Sequence, residues 1–381
     1  MTKAVYALSA DPITFGHINI VERSAKIFDE VFVAIGDNPA KKYLFTKEER
    51  TKMAQISLAH LPNVQVTSFD GLLIDFAHEN DISVMVRGIR NTNDMEYEYN
   101  LYQVNDSQDL EIETMCLFTQ PELGKVSSSN VKSIQKESGL TQKYVPLVVK
   151  DKLEQKISHQ KIFGITGIMG SGKSWLANQL VEYSENKEIK VHNIELDDIA
   201  KEILYDSDKP AHLKIRKKLE ERFGTLDKAE IAKKVFSNKD HLEFINELVR
   251  KPLLIELRNR IKGLKGVILV NAAILIESNM LSLVNNNVIM VSVNDKTRFD
   301  NLEKYRNIPK SVAQKRIANV LSHEDKVKKV NYHIENEGYG KLVEVENNKF
   351  IKNKIKELYT LISKDLSVVI EQKYVIEEWM K

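Results

Sequence analysis

Short apolar runs alternate along the chain with segments in which apolar residues recur every three or four positions. In the first part of the chain, the runs predict five strands, at residues 5–8, 30–36, 63–69, 82–89 and 113–119. The periodic segments predict helices at residues 16–28, 46–61, 72–80, 93–105 and 127–137. Because a helix separates each strand from the next, we expect the strands to be parallel and the sheet to carry helices on both faces.

The same alternation starts again in the second half. Strands are predicted at residues 161–166, 190–195, 266–273 and 287–293. Helices are predicted at residues 174–183, over a long charged region at 209–262, and at 350–380, which is expected to pack on the second domain or on a partner. Residues 148–161 are charged and lack apolar periodicity after Leu153, which indicates a boundary near residue 157. The pattern predicts an α/β fold of two doubly wound parallel-sheet domains, residues 1–157 and 158–381.

Composition narrows the functional classes. The chain has 381 residues, 42% of them hydrophobic, and its net charge of +2 gives no strong field for nucleic acid or a membrane surface. Cys116 is the only cysteine, so no disulfide can form within the chain and a reducing compartment is expected. The start of the chain is broken by Asp11-Pro12 and does not resemble a signal peptide, and the longest apolar run, residues 266–276, is too short to span a bilayer. We therefore expect a cytoplasmic protein without nucleic-acid or membrane partners.

One motif at the start of the second half is specific. Residues 167–174 read GIMGSGKS between a predicted strand and a predicted helix, an arrangement in which the backbone N–H groups of a glycine-rich loop wrap phosphates. Lys173 is expected to reach the outer phosphates, and the Ser174 hydroxyl is expected to face Mg²⁺. The motif predicts nucleoside triphosphate binding by Gly167, Gly170, Ser171, Gly172, Lys173 and Ser174.

Carboxylates follow the next predicted strand. Glu195, Asp197 and Asp198 lie where doubly wound folds place their ligands, so one of them is a candidate base. An aspartate that caps the following helix is an equal alternative. Because Glu195 and Asp197 are two residues apart, we expect their side chains on the same face of the strand.

With these motifs in this order, residues 161–342 resemble the dephospho-coenzyme A kinases. The resembling segments are the glycine-rich loop, the acidic stretch, RKPLL (250–254), AAILIE (272–277) and IENEG (334–338). The resemblance implies that Asp197 is the base, that Glu195 supports it through water or Mg²⁺, and that Arg306 and Arg316 bind the triphosphate from a lid. Three positions depart from the family pattern, because Glu195 is longer than the usual aspartate, Lys201 replaces an arginine and Asn307 replaces an aspartate.

The turn after the first predicted strand places a histidine at the start of a helix. Residues 14–17 read TFGH, and this histidine can donate a hydrogen bond to a phosphate that gains charge, whereas a histidine that only caps the helix is the alternative. Three segments follow in order, NPAKKYLFTKEER (38–50), VRGIRNTNDMEYE (86–98) and VSSSNVK (126–132). With them, residues 3–156 resemble the phosphopantetheine adenylyltransferases, which join ATP to 4′-phosphopantetheine and release diphosphate.

This second resemblance assigns roles by position. It implies that His17 stabilises the reacting phosphorus, that Lys41 and Arg87 hold the phosphate of phosphopantetheine, and that Arg90 binds the leaving diphosphate. The other residues that it places at the acceptor or at ATP are Ser9, Ala10, Leu73, Gly88, Glu98, Ser127, Ser128 and Ser129. The chain departs from the family pattern at Leu8, which replaces a glycine, and at Ala10, which replaces an aromatic residue.

Together the two resemblances predict a Rossmann-like nucleotidyltransferase followed by a P-loop kinase. They imply the last two steps of coenzyme A synthesis, with ATP, 4′-phosphopantetheine, dephospho-coenzyme A and coenzyme A as ligands, Mg²⁺ in both sites, and a homo-oligomer formed through the first domain. Two alternatives stay open. One domain can be a regulatory module that binds nucleotide or coenzyme A, or the chain can combine a different nucleotidyltransferase with a different kinase.

Overall fold

Two parallel sheets of five strands each form the framework of the protein, one in each half of the chain. The computed structural model describes residues 1–108, 110–306, 323–335 and 349–363. The chain folds into two compact units, Met1–Ile157 and Ser158–Lys381. The predicted α/β fold, with helices between parallel strands, is confirmed in both units.

The first unit builds its sheet around its first strand. The strands are β1 (Lys3–Leu8), β2 (Glu30–Ile35), β3 (Val64–Ser68), β4 (Val84–Ile89) and β5 (Glu113–Phe118). They lie in the order β3-β2-β1-β4-β5, and every neighbouring pair is parallel. The chain order therefore reverses beside β1, and such a switch point opens a crevice at the carboxyl ends of the strands.

Helices cover both faces of this sheet. They are α1 (Phe15–Ser24), α2 (Lys47–Leu58), α3 (Leu73–Glu79), α4 (Thr92–Asp106), α5 (Ser128–Lys136) and α6 (Leu147–Leu153). Ala4 and Tyr6 of β1 belong to a core that includes buried residues of α1, α2 and α6, whereas Val5 packs on the other face in a core with Ala77 of α3. This division follows from the alternation of side chains along a strand.

The second unit repeats the plan with another strand order. The strands are β6 (Gln160–Thr166), β7 (Val191–Glu195), β8 (Gly266–Asn271), β9 (Val288–Ser292) and β10 (Tyr332–Glu335). They lie in the order β10-β9-β6-β8-β7, and all described pairs are parallel. β10 was not predicted, because only four residues form it and it lies at the edge of the sheet.

Eight helices are described in the second unit. They are α7 (Lys173–Ser184), α8 (Leu196–Lys201), α9 (Pro210–Phe223), α10 (Lys228–Ser237), α11 (Lys239–Ile261), α12 (Asp295–Arg306), α13 (His323–Val327) and α14 (Lys349–Ser363). The predicted long helical region at 209–262 is three helices, because the chain turns at Gly224, where φ is +72°, and again at Asn238, which caps α11. Leu358 and Ile362 of α14 are buried in the core with Phe163 of β6. The expected packing of the C-terminal helix on the second unit is therefore confirmed for residues 349–363, and residues 364–380 of that prediction lie outside the described residues.

The charged segment at residues 148–161, where the boundary is expected near residue 157, is mostly helical. α6 continues into a π-helical turn at Glu154–Ser158, and Val149 and Leu153 are fully buried. Lys150 and Glu154 are buried as well, and their side chains form an ion pair at 2.7 Å. Because paired charges take core positions here, the charged sequence concealed a packed helix.

No helix in the described parts of the chain is both long enough and apolar enough to cross a bilayer.

A buried ion pair connects α13 to the segment that follows β8. Lys326 Nζ lies 2.8 Å from Glu277 Oε1, and Lys326 is fully buried. Removing one partner of a buried pair leaves the other charge without compensation, which destabilises a protein far more than replacing both partners by apolar residues.

We therefore expect Lys326→Met to lower the free energy of unfolding by about 3–5 kcal/mol. Adding Glu277→Leu should recover most of this loss, because the unpaired carboxylate is then gone. Urea unfolding followed by tryptophan fluorescence reports the second unit, since Trp175 lies on α7 and residues 1–157 include no tryptophan. The control is Lys328→Met, because the Lys328 side chain is 76% exposed. Equal free energies of unfolding for Lys326→Met and Lys328→Met would contradict the prediction.

Candidate active sites

The first candidate site lies at the turn between β1 and α1. Thr14 is the N-cap of α1, and His17 stands in the first turn of the helix. The Thr14 N–H donates a hydrogen bond to His17 Nδ1 at 3.1 Å, and the Thr14 hydroxyl lies 3.2 Å from the same nitrogen. Because Nδ1 accepts from a backbone N–H, the proton of the neutral ring must be on Nε2. His17 therefore caps the helix with one nitrogen and keeps an N–H donor on the other.

The charge of His17 is set by its surroundings. Burial is the largest cause that lowers the pKa of His17, and the positive charges of Arg90 and Lys41 lower it further, to about 4. Arg90 follows β4, and Lys41 belongs to the loop between β2 and α2. Both predicted cations are therefore close enough to the ring to act on its charge, and His17 is neutral at neutral pH.

Two arginines at the end of β4 have acidic partners on α4. Arg87 Nε lies 3.2 Å from Glu98 Oε2, and Arg90 donates two hydrogen bonds to the Asp94 carboxylate, at 2.8 and 3.1 Å. Burial raises the pKa of Glu98, while the charges of Arg87 and Lys41 lower it. Both arginines are thus oriented by acidic residues of α4. The structure brings together the predicted residues Lys41, Arg87, Arg90 and Glu98.

A buried arginine that the sequence did not indicate fixes the loop that carries Lys41. Arg50 of α2 is 1% exposed, pairs with Asp37, and stacks on the Tyr43 ring with 4.2 Å between the guanidinium carbon and the ring centroid. It also donates hydrogen bonds to the backbone carbonyls of Ser9, Gly36 and Phe45. One side chain therefore ties the ends of β1 and β2 to the Lys41 loop.

Asp11 holds the same loop from the opposite side. This buried carboxylate accepts hydrogen bonds from the backbone N–H groups of Leu44 and Phe45, and it forms an ion pair with Lys132 Nζ at 2.6 Å. The sequence indicated Asp11 only as a turn residue. Its partners lie 33 to 121 residues away, so no local pattern pointed to this role.

The predicted serines are placed differently from one another. Ser9 Oγ lies 3.3 Å from Tyr43 Oη. Ser127 is the N-cap of α5 and its Oγ accepts from a backbone N–H, Ser128 Oγ donates to the Pro12 carbonyl, and Ser129 is exposed. The hydroxyls of Ser127 and Ser128 therefore already have hydrogen-bond partners. An anion at this segment can bind Ser129 and the backbone N–H groups at the start of α5.

The remaining predicted residues of the first site belong to β1, β4, α3 and the turn after β1. Leu8, the last residue of β1, is half-buried, and Leu73 starts α3. Ala10 is buried at a φ of +48°, a backbone region that favours glycine. A Cβ on Gly88 would lie 3.3 Å from the Tyr6 hydroxyl, so this position of β4 has no room for a side chain unless its neighbours move.

The second candidate site is the loop between β6 and α7. Gly167, Gly170 and Gly172 have φ values of +157°, +87° and +89°, which side chains with a Cβ rarely adopt. A Cβ on Gly167 would also lie 2.3 Å from a backbone oxygen of β9. The glycines of the motif are thus required by the backbone path of the loop, as phosphate wrapping demands.

The first turn of α7 carries the two functional side chains of this motif. Gly172 is the N-cap of α7, so Lys173 and Ser174 occupy its first two positions. Ser171 and Lys173 are buried. A phosphate in the loop would meet the N-terminus of a twelve-residue helix, where the backbone N–H groups and the helix dipole both favour an anion.

The acidic residues after β7 do not share a strand face. β7 ends at Glu195 and α8 begins at Leu196, so Asp197 stands in the first turn of a helix. Successive helical residues are turned by about 100°, so the alternation expected of a strand does not continue. Asp197 and Asp198 are exposed. The prediction of one common strand face for Glu195 and Asp197 is therefore wrong.

Glu195 is the acidic residue that the fold connects to the glycine-rich loop. Its Oε1 accepts hydrogen bonds from Asn271 Nδ2 at 2.8 Å and from Asn193 Nδ2 at 3.3 Å. Asn271 Nδ2 also lies 3.4 Å from Ser174 Oγ. In the sequence, Asn271 differs from its neighbours only as a single polar residue within the apolar run at residues 266–276.

The residues predicted for the lid begin at the end of α12. Asn307 and Arg316 lie outside the described residues, and only the backbone of Arg306, the last residue of α12, is described. Another arginine of α12, Arg298, was not predicted. It is buried, and a Cβ on Gly170 would lie 3.0 Å from its carbonyl oxygen, so α12 packs directly on the glycine-rich loop.

Comparisons with known proteins agree with this division into two sites. Residues 161–341 match the family model described as dephospho-CoA kinase, and residues 7–134 match a cytidylyltransferase-like model. The phosphopantetheine adenylyltransferase of Caldanaerobacter subterraneus subsp. tengcongensis is 40% identical over 156 residues, which cover 41% of this chain and 98% of that protein. The protein of the same name from Thermosynechococcus vestitus is 45% identical over 151 residues, which cover 40% of this chain and 90% of that protein.

The shifted pKa of His17 should make the protein lose stability in acid. The pKa of His17 is about 4 in the folded protein, while an unfolded histidine titrates near 6.5. Between these values the unfolded chain binds more protons, so the free energy of unfolding falls as the pH is lowered from about 6.5 to 4. Replacing His17 by glutamine should flatten this part of the stability profile.

NMR titration measures the pKa of His17, and urea unfolding at several pH values measures how the free energy of unfolding depends on pH. The control is His78→Gln, which removes an exposed histidine at the end of α3 and should leave the slope unchanged. A His17 resonance that titrates near pH 6.5 would contradict the prediction.

Proposed function

The chain belongs to the phosphopantetheine adenylyltransferase family, and from this premise we propose that it is a bifunctional enzyme that completes coenzyme A in two steps. In the first step, ATP and 4′-phosphopantetheine give dephospho-coenzyme A and diphosphate. In the second, another ATP phosphorylates the 3′-hydroxyl of dephospho-coenzyme A. The observation that carries the proposal is the presence of two different phosphate sites on one chain. The first unit has a neutral histidine close to Arg90 and Lys41, and the second unit, which matches the dephospho-CoA kinase model, has a glycine-rich loop at the start of α7.

In the first reaction the acceptor phosphate is itself the nucleophile. One of its oxygens forms a bond to the α-phosphorus of ATP, and the bond from that phosphorus to the diphosphate breaks. Lys41 and Arg87 hold the acceptor phosphate in line, and the His17 Nε2–H donates to an α-phosphate oxygen as negative charge grows there. Arg90 and the start of α5 take the leaving diphosphate. Ser9 lies between the substrates, Glu98 near the nucleotide, and Leu73 beside the pantetheine arm.

In the second reaction the 3′-hydroxyl of the ribose attacks the γ-phosphorus and ADP leaves. Lys173 and the backbone of Gly167, Gly170, Ser171 and Gly172 hold the phosphates. Asp197, in the first turn of α8, accepts the proton of the hydroxyl. Arg306 and Arg316 are the cations that we propose for binding the triphosphate.

Mg²⁺ fits the donor atoms of the second site. Mg²⁺ prefers hard oxygen ligands and keeps several of its water ligands. One hydroxyl and one carboxylate beside the bound phosphates are therefore enough protein ligands to hold it. Ser174 and Glu195 supply such atoms and are joined through one asparagine. The ion neutralises phosphate charge, while the protein groups named above orient the reactants. We propose Mg²⁺ in the first site as well, held mainly by phosphate oxygens and water.

The test of the function follows both products from one reaction. The protein is incubated with ATP, Mg²⁺ and 4′-phosphopantetheine, and dephospho-coenzyme A and coenzyme A are followed by mass. Both should form in sequence. Formation of only one product would identify the other unit as a binding module, and activity with CTP or another acceptor phosphate in place of these substrates would identify a different pair of reactions.

Lys173→Ala should separate the two activities. The variant removes the cation at the start of α7, while the first site belongs to another sheet. We therefore expect phosphorylation of dephospho-coenzyme A to fall by at least a hundredfold and its formation to continue, so that dephospho-coenzyme A accumulates. The control is Lys218→Ala, because Lys218 of α9 is exposed. Loss of diphosphate release in Lys173→Ala would refute the division of labour.

We also propose that the first unit forms homo-oligomers and that the enzyme works in the cytoplasm. The argument for oligomers is the number of large apolar side chains that α4 and the end of the edge strand β5 leave exposed. Tyr99 of α4 is 59% exposed, and Phe118 of β5 is 67% exposed. α4 also exposes Met95, Tyr97 and Val104. Exposed apolar residues in such number indicate contact sites, and a second copy of the unit is the partner that we propose.

The double variant Val104→Glu with Phe118→Glu should therefore shift the protein towards the monomer. Each change replaces an exposed apolar side chain by a charged one, and neither residue is among the predicted substrate-binding residues. Light scattering after size-exclusion chromatography measures the mass, and Leu213→Glu, an exposed leucine of α9, is the control. An unchanged mass would exclude Val104 and Phe118 from the interface.

A further inference from the structure

We infer that Asn271 is a positioning residue for the metal–nucleotide end of the second site. Through one amide nitrogen it holds the Glu195 carboxylate beside the Ser174 hydroxyl. The inference rests on the proposed binding of ATP by the glycine-rich loop and assigns a role to a residue that has none in that proposal.

The sheet places Asn271 between the two elements that it joins. β8 lies between β6 and β7, and Asn271 pairs in register with Ile165 of β6 on one side and with Glu195 of β7 on the other. Ser174 reaches the same point from α7, which starts after the loop that follows β6. The carboxyl ends of three neighbouring strands thus converge on one side chain.

The hydrogen bonds fix the orientation of the Asn271 amide. Nδ2 lies 2.8 Å from Glu195 Oε1 and 3.4 Å from Ser174 Oγ. An ionised carboxylate only accepts hydrogen bonds, so the amide must turn its NH₂ group towards Glu195. A second amide, Asn193 Nδ2, donates to the same oxygen at 3.3 Å. Two neutral donors therefore orient the carboxylate without removing its charge.

The other end of the Asn271 side chain is unfavourable for stability. Asn271 is fully buried, and its Oδ1 accepts no hydrogen bond from the residues that the structure describes. A buried acceptor without a donor lowers the stability of a protein, and an apolar residue would remove this penalty. The asparagine is therefore better explained by what its NH₂ group does at the site than by a contribution to the core.

An aspartate at position 271 would not serve the same purpose. It would bring a second carboxylate to hydrogen-bonding distance of Glu195, and two carboxylates that close cannot both stay ionised at little cost. Asparagine supplies a donor instead, so that Glu195 alone carries the negative charge beside Ser174. The Glu195 carboxylate and the Ser174 hydroxyl are both oxygen ligands of the kind that Mg²⁺ prefers.

The test separates positioning from folding by comparing Asn271→Ala with the unaltered protein. Binding of Mn²⁺, a paramagnetic substitute for Mg²⁺, to the ATP-saturated full chain is measured by electron paramagnetic resonance. We expect the dissociation constant for Mn²⁺ to rise about 10–100-fold, as it does when residues that orient metal ligands are removed. ATP affinity in the presence of EDTA should change less than about twofold, because Asn271 acts through the metal end of the site. The midpoint of thermal unfolding should stay the same or rise.

Two further variants make the outcome decisive. Glu195→Gln should weaken Mn²⁺ binding, and adding Asn271→Ala to it should cause little further loss, because Asn271 acts through Glu195. Asn193→Ala, which removes an amide that touches Glu195 but not Ser174, should have the smaller effect. Full additivity of the Asn271 and Glu195 changes, or unchanged Mn²⁺ binding with a lower unfolding midpoint, would overturn the inference.

The metal measurement also distinguishes this inference from the proposed function. If the unaltered protein binds Mn²⁺–ATP but does not phosphorylate dephospho-coenzyme A, the acceptor is wrong and the role of Asn271 is still tested. If the unaltered protein phosphorylates dephospho-coenzyme A and Asn271→Ala binds Mn²⁺ normally, the function stands and the inference fails.

Discussion

Parallel strand pairing is the constraint on which both candidate sites depend. When all strands of a sheet run the same way, their carboxyl ends meet at one edge, and the helix after each strand starts at that edge. β1 and β6 lie in the interior of their sheets, and each leads into the helix that carries the most specific motif of its unit. His17 and Lys173 therefore occupy equivalent places, at the first turn of the first helix after the first strand. Parallel pairing alone thus brings loops that are distant in sequence to the same edge.

The two units solve the problem of a phosphate at a helix start in different ways. In the second unit, three glycines with positive φ let the backbone itself wrap the anion, so the loop has a local sequence signature. In the first unit, the turn is held by side chains, because Asp11 and Arg50 fasten it to the loop that carries Lys41. Such a framework of buried charges is stable only when every charge has partners, and both residues have several.

This difference explains what the sequence could predict. The strands were predictable because fully buried parallel strands leave continuous apolar runs, and the glycine-rich loop was predictable because its function depends on neighbouring residues. The roles of Arg50 and Asn271 were not, since their partners lie up to 41 and 97 residues away and only the folded sheet brings them together. The strand face assumed for Asp197 failed because α8 begins directly after β7 without a loop. The buried pair of Lys150 and Glu154 was not predictable either, because charged residues normally indicate an exposed segment.

The neutral state of His17 fits the chemistry proposed for the first site. Lys41, Arg87 and Arg90 already provide fixed positive charge, which binds phosphates in the ground state as strongly as in the transition state. A further fixed charge on the ring would add mainly to ground-state binding. A neutral Nε2–H, held in place by the Thr14 N–H on the opposite nitrogen, interacts more strongly as negative charge develops on the α-phosphate. Two of the cations proposed to bind the substrates, Arg90 and Lys41, also lower the pKa of His17, so the arrangement proposed to bind the phosphates also keeps the proposed donor neutral.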